Sequence, residues 1–198
     1  MLKPAIAILS LSGALLAGCA STGGGTSSTA AVAPYREALT LSGRMSASYT
    51  RDGTPGSVTV KFDWRQTPQR TDITLYDPLG STIATIAVTQ NEAVLIQNGK
   101  EPRSADSIDA LTAQTFGWPL PVSGLREWLQ GHATAENGQR FTASAANSSV
   151  TTRDGWQLNF VSWQENSDPP KPKRIDLERA ASGPVTDITI RIALDAAN

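Results

Sequence analysis

The strongest constraint on the fold is an alternation of apolar and polar residues that recurs along most of the chain. Two long early runs place their apolar side chains on one face, namely Leu39, Leu41, Met45, Ala47 and Tyr49 in the first and Val58, Val60, Phe62 and Trp64 in the second. A period of two predicts β-strands with one buried and one wet face, as in antiparallel sheets. The Gly- and Pro-containing segment 51–56 predicts a turn between them.

Further runs of this kind continue to the C-terminus. They lie at 73–75, 82–89, 93–97, 139–145, 148–153, 156–163, 173–179 and 185–194. A Pro-rich linker at 166–172 separates the last two runs from the others. We count about ten or eleven strands, without the alternation of strands and helices that a parallel sheet requires. With 39% hydrophobic residues, the chain is predicted to be a mainly β, single-domain protein.

In two short segments between residues 104 and 131, the apolar residues no longer alternate with polar ones but recur with a helical spacing, which predicts two helices. The first places five residues on one side, namely Ile108, Leu111, Thr112, Thr115 and Phe116. Ser104 or Asp106 is its expected N-cap, and Gly117 its expected end. The second carries Leu125, Trp128 and Leu129, with Ser123 as its expected N-cap and Gly131 as its end. We therefore expect an antiparallel sheet curled around a helical insertion.

The first eighteen residues have the organisation of an export signal. Lys3 precedes an uncharged apolar run over 5–16, which is shorter than the roughly 20 residues needed to span a bilayer. The sequence Leu16-Ala17-Gly18-Cys19 matches the bacterial lipobox, whose cysteine accepts a diacylglyceryl group. We predict a signal peptide at 1–18 and lipid on Cys19. The alternative is an ordinary cleaved signal followed by an incidental cysteine.

The segment after Cys19 predicts a tether. Residues 20–33 are Ser, Thr, Gly and Ala with one larger apolar residue, so they are expected to be flexible, with an average reach of about 20 Å. We assign 19–38 to the lipidated N-terminus and tether, and 39–198 to the folded domain. Cys19 is the only cysteine, so the domain has no disulfide and no Cys-based metal site.

The residue types that support catalysis or nucleic-acid binding are sparse. The formal net charge is −1, and no Lys/Arg run is interleaved with aromatics, which argues against nucleic acid. The single histidine, His132, follows a helix-ending glycine and is predicted to be a surface loop residue. There is no GxSxG, HExxH or P-loop motif, and no His–carboxylate cluster at ligand spacing. We predict no enzyme activity, no metal and no cofactor, and an envelope hydrolase is the least supported hypothesis.

The segment Asp77-Pro78-Leu79-Gly80-Ser81 stands out as a tight loop with a large aliphatic residue at its tip. Proline fixes φ and glycine permits positive φ, so the loop is expected to project Leu79. The alternative is that Leu79 folds back into the core as a plug.

Three segments together resemble the LolB family of outer-membrane lipoprotein receptors. They are Phe62-Asp63-Trp64-Arg65-Gln66, the loop 77–81, and Gly117-Trp118-Pro119-Leu120-Pro121 followed by Leu125, Trp128, Leu129 and Gly131. They occur in that family's order and approximate spacing, behind a lipobox, and the resemblance covers nearly the whole mature chain. The sequence departs from the family pattern in three places. The tether is rich in glycine and threonine, the segment before the first strand is short, and Arg103 and Ser104 occupy a stretch where relatives often carry an aromatic residue.

The resemblance implies a fold and a set of site residues. The fold would be an incomplete antiparallel β-barrel around an apolar cavity, with the two helices as a lid. The loop Asp77, Pro78, Leu79 and Gly80 would insert into the membrane. The candidates for the lipid cavity or lid are Phe62, Trp64, Leu75, Phe116, Trp118, Leu120, Leu125, Trp128 and Leu129. For the aromatic residues among them, an ordinary core position is an equal alternative.

The resemblance also implies a function. The chain would accept lipoproteins from the periplasmic carrier LolA, bind their acyl chains and insert them into the inner leaflet of the outer membrane, without nucleotide hydrolysis. A one-to-one transfer suggests a monomer. Ala20, rather than aspartate, after the lipidated cysteine favours an outer-membrane location facing the periplasm. The rival hypothesis is an envelope lipoprotein that binds another glycolipid or a protein partner in outer-membrane assembly.

Overall fold

The structure is a computed structural model that describes residues 30–117, 120–180 and 185–196. Within these residues the elements are β1 (Leu39–Arg51), β2 (Thr54–Gln66), β3 (Thr71–Tyr76), β4 (Thr82–Val88), β5 (Ala93–Gln97), β6 (Arg103–Ala105), α1 (Ile108–Phe116), α2 (Val122–Trp128), β7 (His132–Thr134), β8 (Arg140–Thr142), β9 (Ser149–Thr151), β10 (Gln157–Trp163), β11 (Pro172–Arg179) and β12 (Val185–Leu194). The short strands β6 and β7 were not predicted. Cys19, the predicted signal peptide and Trp118 lie outside the described residues.

Ten of the described strands form one antiparallel sheet with two free edges. Their order is β6-β5-β4-β3-β2-β1-β12-β11-β10-β9, so the first and last described strands pair in the middle of the sheet. The edge strands β6 and β9 do not pair with each other, which leaves the barrel open. The predicted fold class is confirmed: a mainly β single domain, built as an incomplete antiparallel barrel with two short helices.

The alternation in the sequence determines which side chains face inward. Antiparallel pairing sets Met45 opposite Val60, and Phe62 opposite Leu75. Because side chains alternate across a strand, a register slip of one residue would turn these apolar rows outward. The inward rows join into one buried apolar cluster that extends from β1 to β12.

One half of the inner face is filled by aromatic side chains. Trp128 of α2 lies against Trp156, with 6.4 Å between ring centroids. Phe160 of β10 stacks between Phe141 and Trp163, at 6.0 and 6.3 Å. Such pairs stabilise a core beyond the area that they bury. The aromatic side chains therefore pack together around α2, β8 and β10.

The helices form where the sequence predicts them, but different residues begin them. The N-cap of α1 is Ser107, whose Oγ accepts from the Ala110 amide at 3.1 Å, and not Ser104 or Asp106. Gly117 ends α1 in the left-handed conformation, as predicted. The predicted cap Ser123 lies inside α2 and donates instead to Asp109 Oδ2 at 2.8 Å. No helix in the described part of the chain has the length and apolarity to cross a membrane.

The residues just before β1 correct two predictions. Val32, placed in the tether by the sequence analysis, is buried, and its amide donates to the Ala143 carbonyl at 3.0 Å. His132, predicted to be a surface residue, is only 7% exposed. Its Nε2 lies 2.8 Å from the Ala33 carbonyl oxygen, and its ring meets Tyr35 edge-on. Because the segment 31–37 covers β7, the folded part begins by Ala31 rather than at residue 39.

Candidate functional site

An apolar cavity of about 380 Å³ lies between the sheet and the two helices. Its wall comes from β1–β5 and β11–β12, and its roof from α1, α2 and the segment before α2. The lining residues that face it are Met45, Ala47, Tyr49, Arg51, Val58, Val60, Phe62, Trp64, Ile73, Leu75, Ile83, Ala84, Ile86, Leu95, Gln97, Thr112, Thr115, Phe116, Leu120, Pro121, Val122, Leu125, Leu129, Leu177, Ile190 and Ile192. The volume falls within the roughly 300–1,000 Å³ that is typical of small-molecule pockets.

Two alanines among the inward rows leave space in the cavity wall. Ala47 and Ala84 both face the cavity and are buried. Ala84 pairs with Leu75 across β3 and β4, and Ala47 pairs with Val58 across the first hairpin. Since protein interiors are normally close-packed, an apolar hollow of this size makes this part of the molecule the candidate binding site.

The structure brings most of the predicted cavity residues together. Seven of them line the cavity: Phe62, Trp64, Leu75, Phe116, Leu120, Leu125 and Leu129. Trp64 forms part of the wall and is 2% exposed, and its indole Nε1 donates to Gln66 Oε1 at 3.0 Å. Trp128 belongs to the lid helix α2, but its ring faces Trp156 in the filled half and does not line the cavity.

The mouth of the cavity is at the end of the sheet that carries the β1–β2 turn. Three apolar lining residues there are also substantially exposed, namely Val58, Ile83 and Phe116. Arg51, the last residue of β1, donates from Nη2 to the carbonyl oxygen of Phe116, the last residue of α1. This contact ties the free end of the first lid helix to the rim of the sheet.

At the opposite end, a second arginine holds the other lid helix. Arg126 of α2 donates from Nη2 to the Thr67 carbonyl at 2.8 Å, and from Nη1 to Thr71 Oγ1. Thr67 lies in the connection between β2 and β3, and Thr71 is the first residue of β3. The two helices are therefore each attached to the sheet by one guanidinium, at opposite ends of the cavity.

The loop between β3 and β4 projects one leucine into solvent. Asp77 and Gly80 close a β-turn through the Gly80 amide and the Asp77 carbonyl at 3.0 Å, and Pro78 and Leu79 are its central residues. Asp77 Oδ1 also accepts from the Ser81 amide at 2.9 Å. Leu79 is 94% exposed. The side chain is thus presented by a rigid turn and contributes nothing to the core.

The loop and the cavity mouth share one end of the sheet. The antiparallel register places the end of β3 and the start of β4 beside the exposed part of β2, and Ile83 at the mouth follows the loop directly. At the base of the loop, Tyr76 donates from its hydroxyl to Asp63 Oδ2 at 2.7 Å. This hydrogen bond to a carboxylate raises the pKa of Tyr76, so the phenol stays neutral over the physiological range.

Comparison with known proteins identifies the family. A family model described as "Outer membrane lipoprotein LolB" matches residues 37–196. This chain belongs to the LolB family. The outer-membrane lipoprotein LolB of Cupriavidus metallidurans is 35% identical over 193 residues, which cover 92% of this chain and 91% of that protein. The LolB proteins of Ralstonia nicotianae and Cupriavidus pinatubonensis are 32% and 34% identical, over 95% and 77% of this chain and 94% and 76% of their own lengths.

Sequence reasoning missed several residues that shape the site in this LolB-family chain. Ala47 and Ala84 carry no signal beyond their inward position, yet both line the cavity. Arg51 and Arg126 carry no sequence signal for these contacts, because their acceptors are distant in sequence. A long-range guanidinium–carbonyl contact can be recognised only once the helices are placed on the sheet.

The contact between Arg51 and Phe116 yields a prediction about the lid. Arg51→Met should increase amide hydrogen exchange in the last turn of α1 about three- to tenfold, since a hydrogen bond to a partly exposed charged group is worth roughly 1 kcal/mol. Hydrogen-exchange mass spectrometry would measure this change. Arg44→Met, on the outer face of the same strand, should leave exchange in α1 unaltered. Equal exchange in both variants would mean that Arg51 does not hold the lid of this LolB-family protein.

Proposed function

We propose that this chain is an outer-membrane lipoprotein receptor that accepts acylated lipoproteins from the periplasmic carrier LolA and inserts them into the inner leaflet of the outer membrane. The observation that carries the proposal is the apolar, helix-roofed cavity, whose mouth lies at the same end as the exposed Leu79. Membership of the LolB family supports the same role. The protein would act as a monomer and without enzymatic chemistry.

The cavity suits acyl chains for a simple energetic reason. Each methylene exposed to water costs about 0.8 kcal/mol, so a free lipoprotein anchor is strongly driven out of solution. A receptor has to replace water with an apolar wall until the chain reaches the bilayer. The wall formed by the inward rows of β1–β5 offers this surface, and the lid helices would shield it when no client is bound.

Two parts of the molecule, Cys19 and the turn 77–80, would set how it is arranged at the membrane. Lipid on Cys19 would anchor the chain in the outer membrane with the folded domain in the periplasm. The turn 77–80 would touch or enter the leaflet next to the cavity mouth, so that a client leaves the cavity directly into lipid. Because burial of one leucine contributes only about 1.5 to 3 kcal/mol, the loop would direct delivery and the anchor would hold the protein.

The driving force would be a gradient of affinity. The sequence has no nucleotide-binding motif, so the client should pass from LolA to this receptor and then to the bilayer as each site binds the acyl chains more strongly. We therefore expect the transfer to proceed without added nucleotide.

The test is a transfer assay with purified components. Liposomes carrying the lipid-anchored chain are mixed with LolA that holds a fluorescent lipoprotein, and membrane-bound client is measured after flotation, without nucleotide. We expect nearly complete transfer, and almost none with liposomes that lack the chain. Client that stays on LolA would reject the proposal and favour a LolB-like module for a glycolipid or a protein partner. Hydrolysis of the client would instead indicate an enzyme.

A further inference from the structure

One edge of the second strand is only half covered by its neighbour. β2 pairs with β1 along its whole length, from Thr54 to Gln66, whereas β3 pairs with it only from Lys61 to Gln66. Residues 54–60 therefore have a neighbouring strand on one side and, among the described residues, none on the other. An uncovered strand edge is a template on which another extended chain can pair.

The turn between β1 and β2 determines which main-chain groups face this edge. Arg51 pairs with Thr54, and the two residues between them, Asp52 and Gly53, both have positive φ, at 49° and 77°. These angles define a type I′ turn, in which the Thr54 amide donates to the Arg51 carbonyl. In an antiparallel pair, successive residues direct their main-chain groups to opposite sides of the strand. Every second residue from Thr54 onward therefore bonds to β1, and the residues between them face the uncovered edge.

Three residues of β2 face the uncovered edge, namely Pro55, Ser57 and Thr59. Proline has no amide hydrogen, so Pro55 closes the outer end of the edge to pairing, as prolines on edge strands do. Ser57 and Thr59 are exposed, and in the described part of the chain no main-chain group bonds to either of them from that side. Each presents one amide and one carbonyl, which is enough for up to four hydrogen bonds to an added strand.

The uncovered edge lies at the mouth of the cavity. Val58, between the two residues with free main-chain groups, lines the cavity and is 47% exposed. Tyr76, the last residue of β3, pairs with Lys61 at the point where the coverage ends, so the loop that projects Leu79 begins just beyond it. An acyl chain that enters the mouth therefore brings the peptide joined to it next to this edge.

We propose that residues 57–59 of β2 bind the extended peptide that follows the acylated cysteine of a client, as an added β-strand. The inference rests on the proposed function and deepens it, because it identifies where the protein part of the client binds. The segment after Cys19 of this chain illustrates such a peptide, since residues 20–31 are only Ser, Thr, Gly and Ala. Main-chain hydrogen bonds suit it, because they do not depend on large side chains. One edge can thus accept clients of different sequence.

The experiment blocks the main chain of a lipopeptide without changing its acyl chains. The probe is a diacylglyceryl-cysteine followed by six Ser, Gly and Ala residues, with a diazirine in one acyl chain. Two further probes carry N-methyl groups on one or the other alternate set of peptide nitrogens. The full-length, lipid-anchored chain in nanodiscs is exposed to each probe, and crosslinking to cavity residues is quantified. The acyl chains fix the register, so only one set of nitrogens faces β2. Methylation of that set should lower crosslinking about tenfold, and methylation of the other set less than twofold.

A proline on the edge provides the matching change in the protein. Ser57→Pro removes the edge amide and leaves the hydrogen bonds to β1 in place, so all three probes should crosslink equally, at the level of the blocked probe. Ser57→Ala keeps the amide and should behave as the wild type. In the wild type, the unmethylated probe should also slow amide hydrogen exchange at Ser57 and Thr59 at least tenfold, as measured by mass spectrometry with electron-transfer fragmentation. This last measurement does not depend on how the proline variant folds.

The other outcomes separate this inference from the proposed function. Equal crosslinking of the three probes in the wild type would overturn the added strand but leave acyl binding in the cavity intact. Equal effects of the two methylated sets, or a preference that survives in Ser57→Pro, would overturn it too. Absence of cavity crosslinks with any probe would overturn both proposals. Slow exchange at Ser57 and Thr59 without a lipopeptide, lost when residues 20–29 are deleted, would assign the edge to the chain's own tether and overturn the client assignment.

Discussion

Replacing Leu79 with glutamate should abolish insertion of acylated clients into the bilayer while their binding to the cavity stays at the wild-type level. Leu79 is 94% exposed at the tip of a hydrogen-bonded turn, so the change removes no packing and the melting temperature should not move. Burying a leucine in lipid contributes about 1.5 to 3 kcal/mol, and a carboxylate in its place adds a desolvation cost. The loss of insertion should therefore exceed tenfold.

The measurement separates the two steps of transfer. Client bound to the receptor is quantified by crosslinking, and client in the bilayer by resistance to alkaline extraction from proteoliposomes. Val161→Glu is the matched control, because Val161 is also an exposed apolar residue but lies on β10, outside the cavity lining. It should insert clients normally. Normal insertion by Leu79→Glu would show that the loop has no role in inserting clients into the bilayer. Loss of client binding would show that the loop acts at an earlier step, either in contact with the carrier or in filling the cavity.

Filling the cavity should produce the second large effect. Ala84 lies on β4, is buried, and faces the cavity between the sheet and the helices. Phenylalanine at this position should occupy the space that an acyl chain needs, and client binding should fall at least tenfold. Because the added ring enters an empty apolar space, the cost of overpacking should stay at or below the low end of the usual 1–3 kcal/mol.

A control on the same strand tests whether the space itself matters. Ala87 points to the opposite face of β4 and does not line the cavity. Ala87→Phe adds the same volume outside and should leave client binding unchanged, as measured by co-purification of a lipoprotein released from LolA. If Ala84→Phe binds clients as well as Ala87→Phe does, while both unfold cooperatively in urea, the cavity is not the binding site.

The strands and helices were largely predictable because their signals are local. The alternation in 39–64 and in 185–194 specifies both the strand and the face that it buries. Gly117 ended α1 as predicted, because a left-handed residue there favours glycine. The N-caps were missed because Ser104, Asp106 and Ser107 are all acceptable caps, and only the packing of α1 on β5 and β6 selects among them.

The errors in the sequence analysis concern contacts between distant segments. Val32 looked like part of a polar tether, and His132 looked like a loop residue. Each is buried against a segment about a hundred residues away in the chain: Val32 lies beside Ala143, and the His132 ring lies beside the Ala33 carbonyl oxygen. A lone apolar residue in a Ser/Gly/Ala segment was the available signal, but it does not reveal its partner.

The order of the amino acids is enough to identify the inward-facing residues, the class of the fold, and the family that the chain resembles. Where those inward faces are filled and where they leave space depends on how the strands and helices pack together. Trp64 and Trp128 both read as apolar and buried, yet Trp128 meets Trp156 in the packed half while Trp64 borders the hollow. The physical reason is that the alternation of apolar and polar residues shows only which face of one strand is buried. Whether a cavity forms also depends on how large the side chains on the opposing surface are and how far they lie from that face.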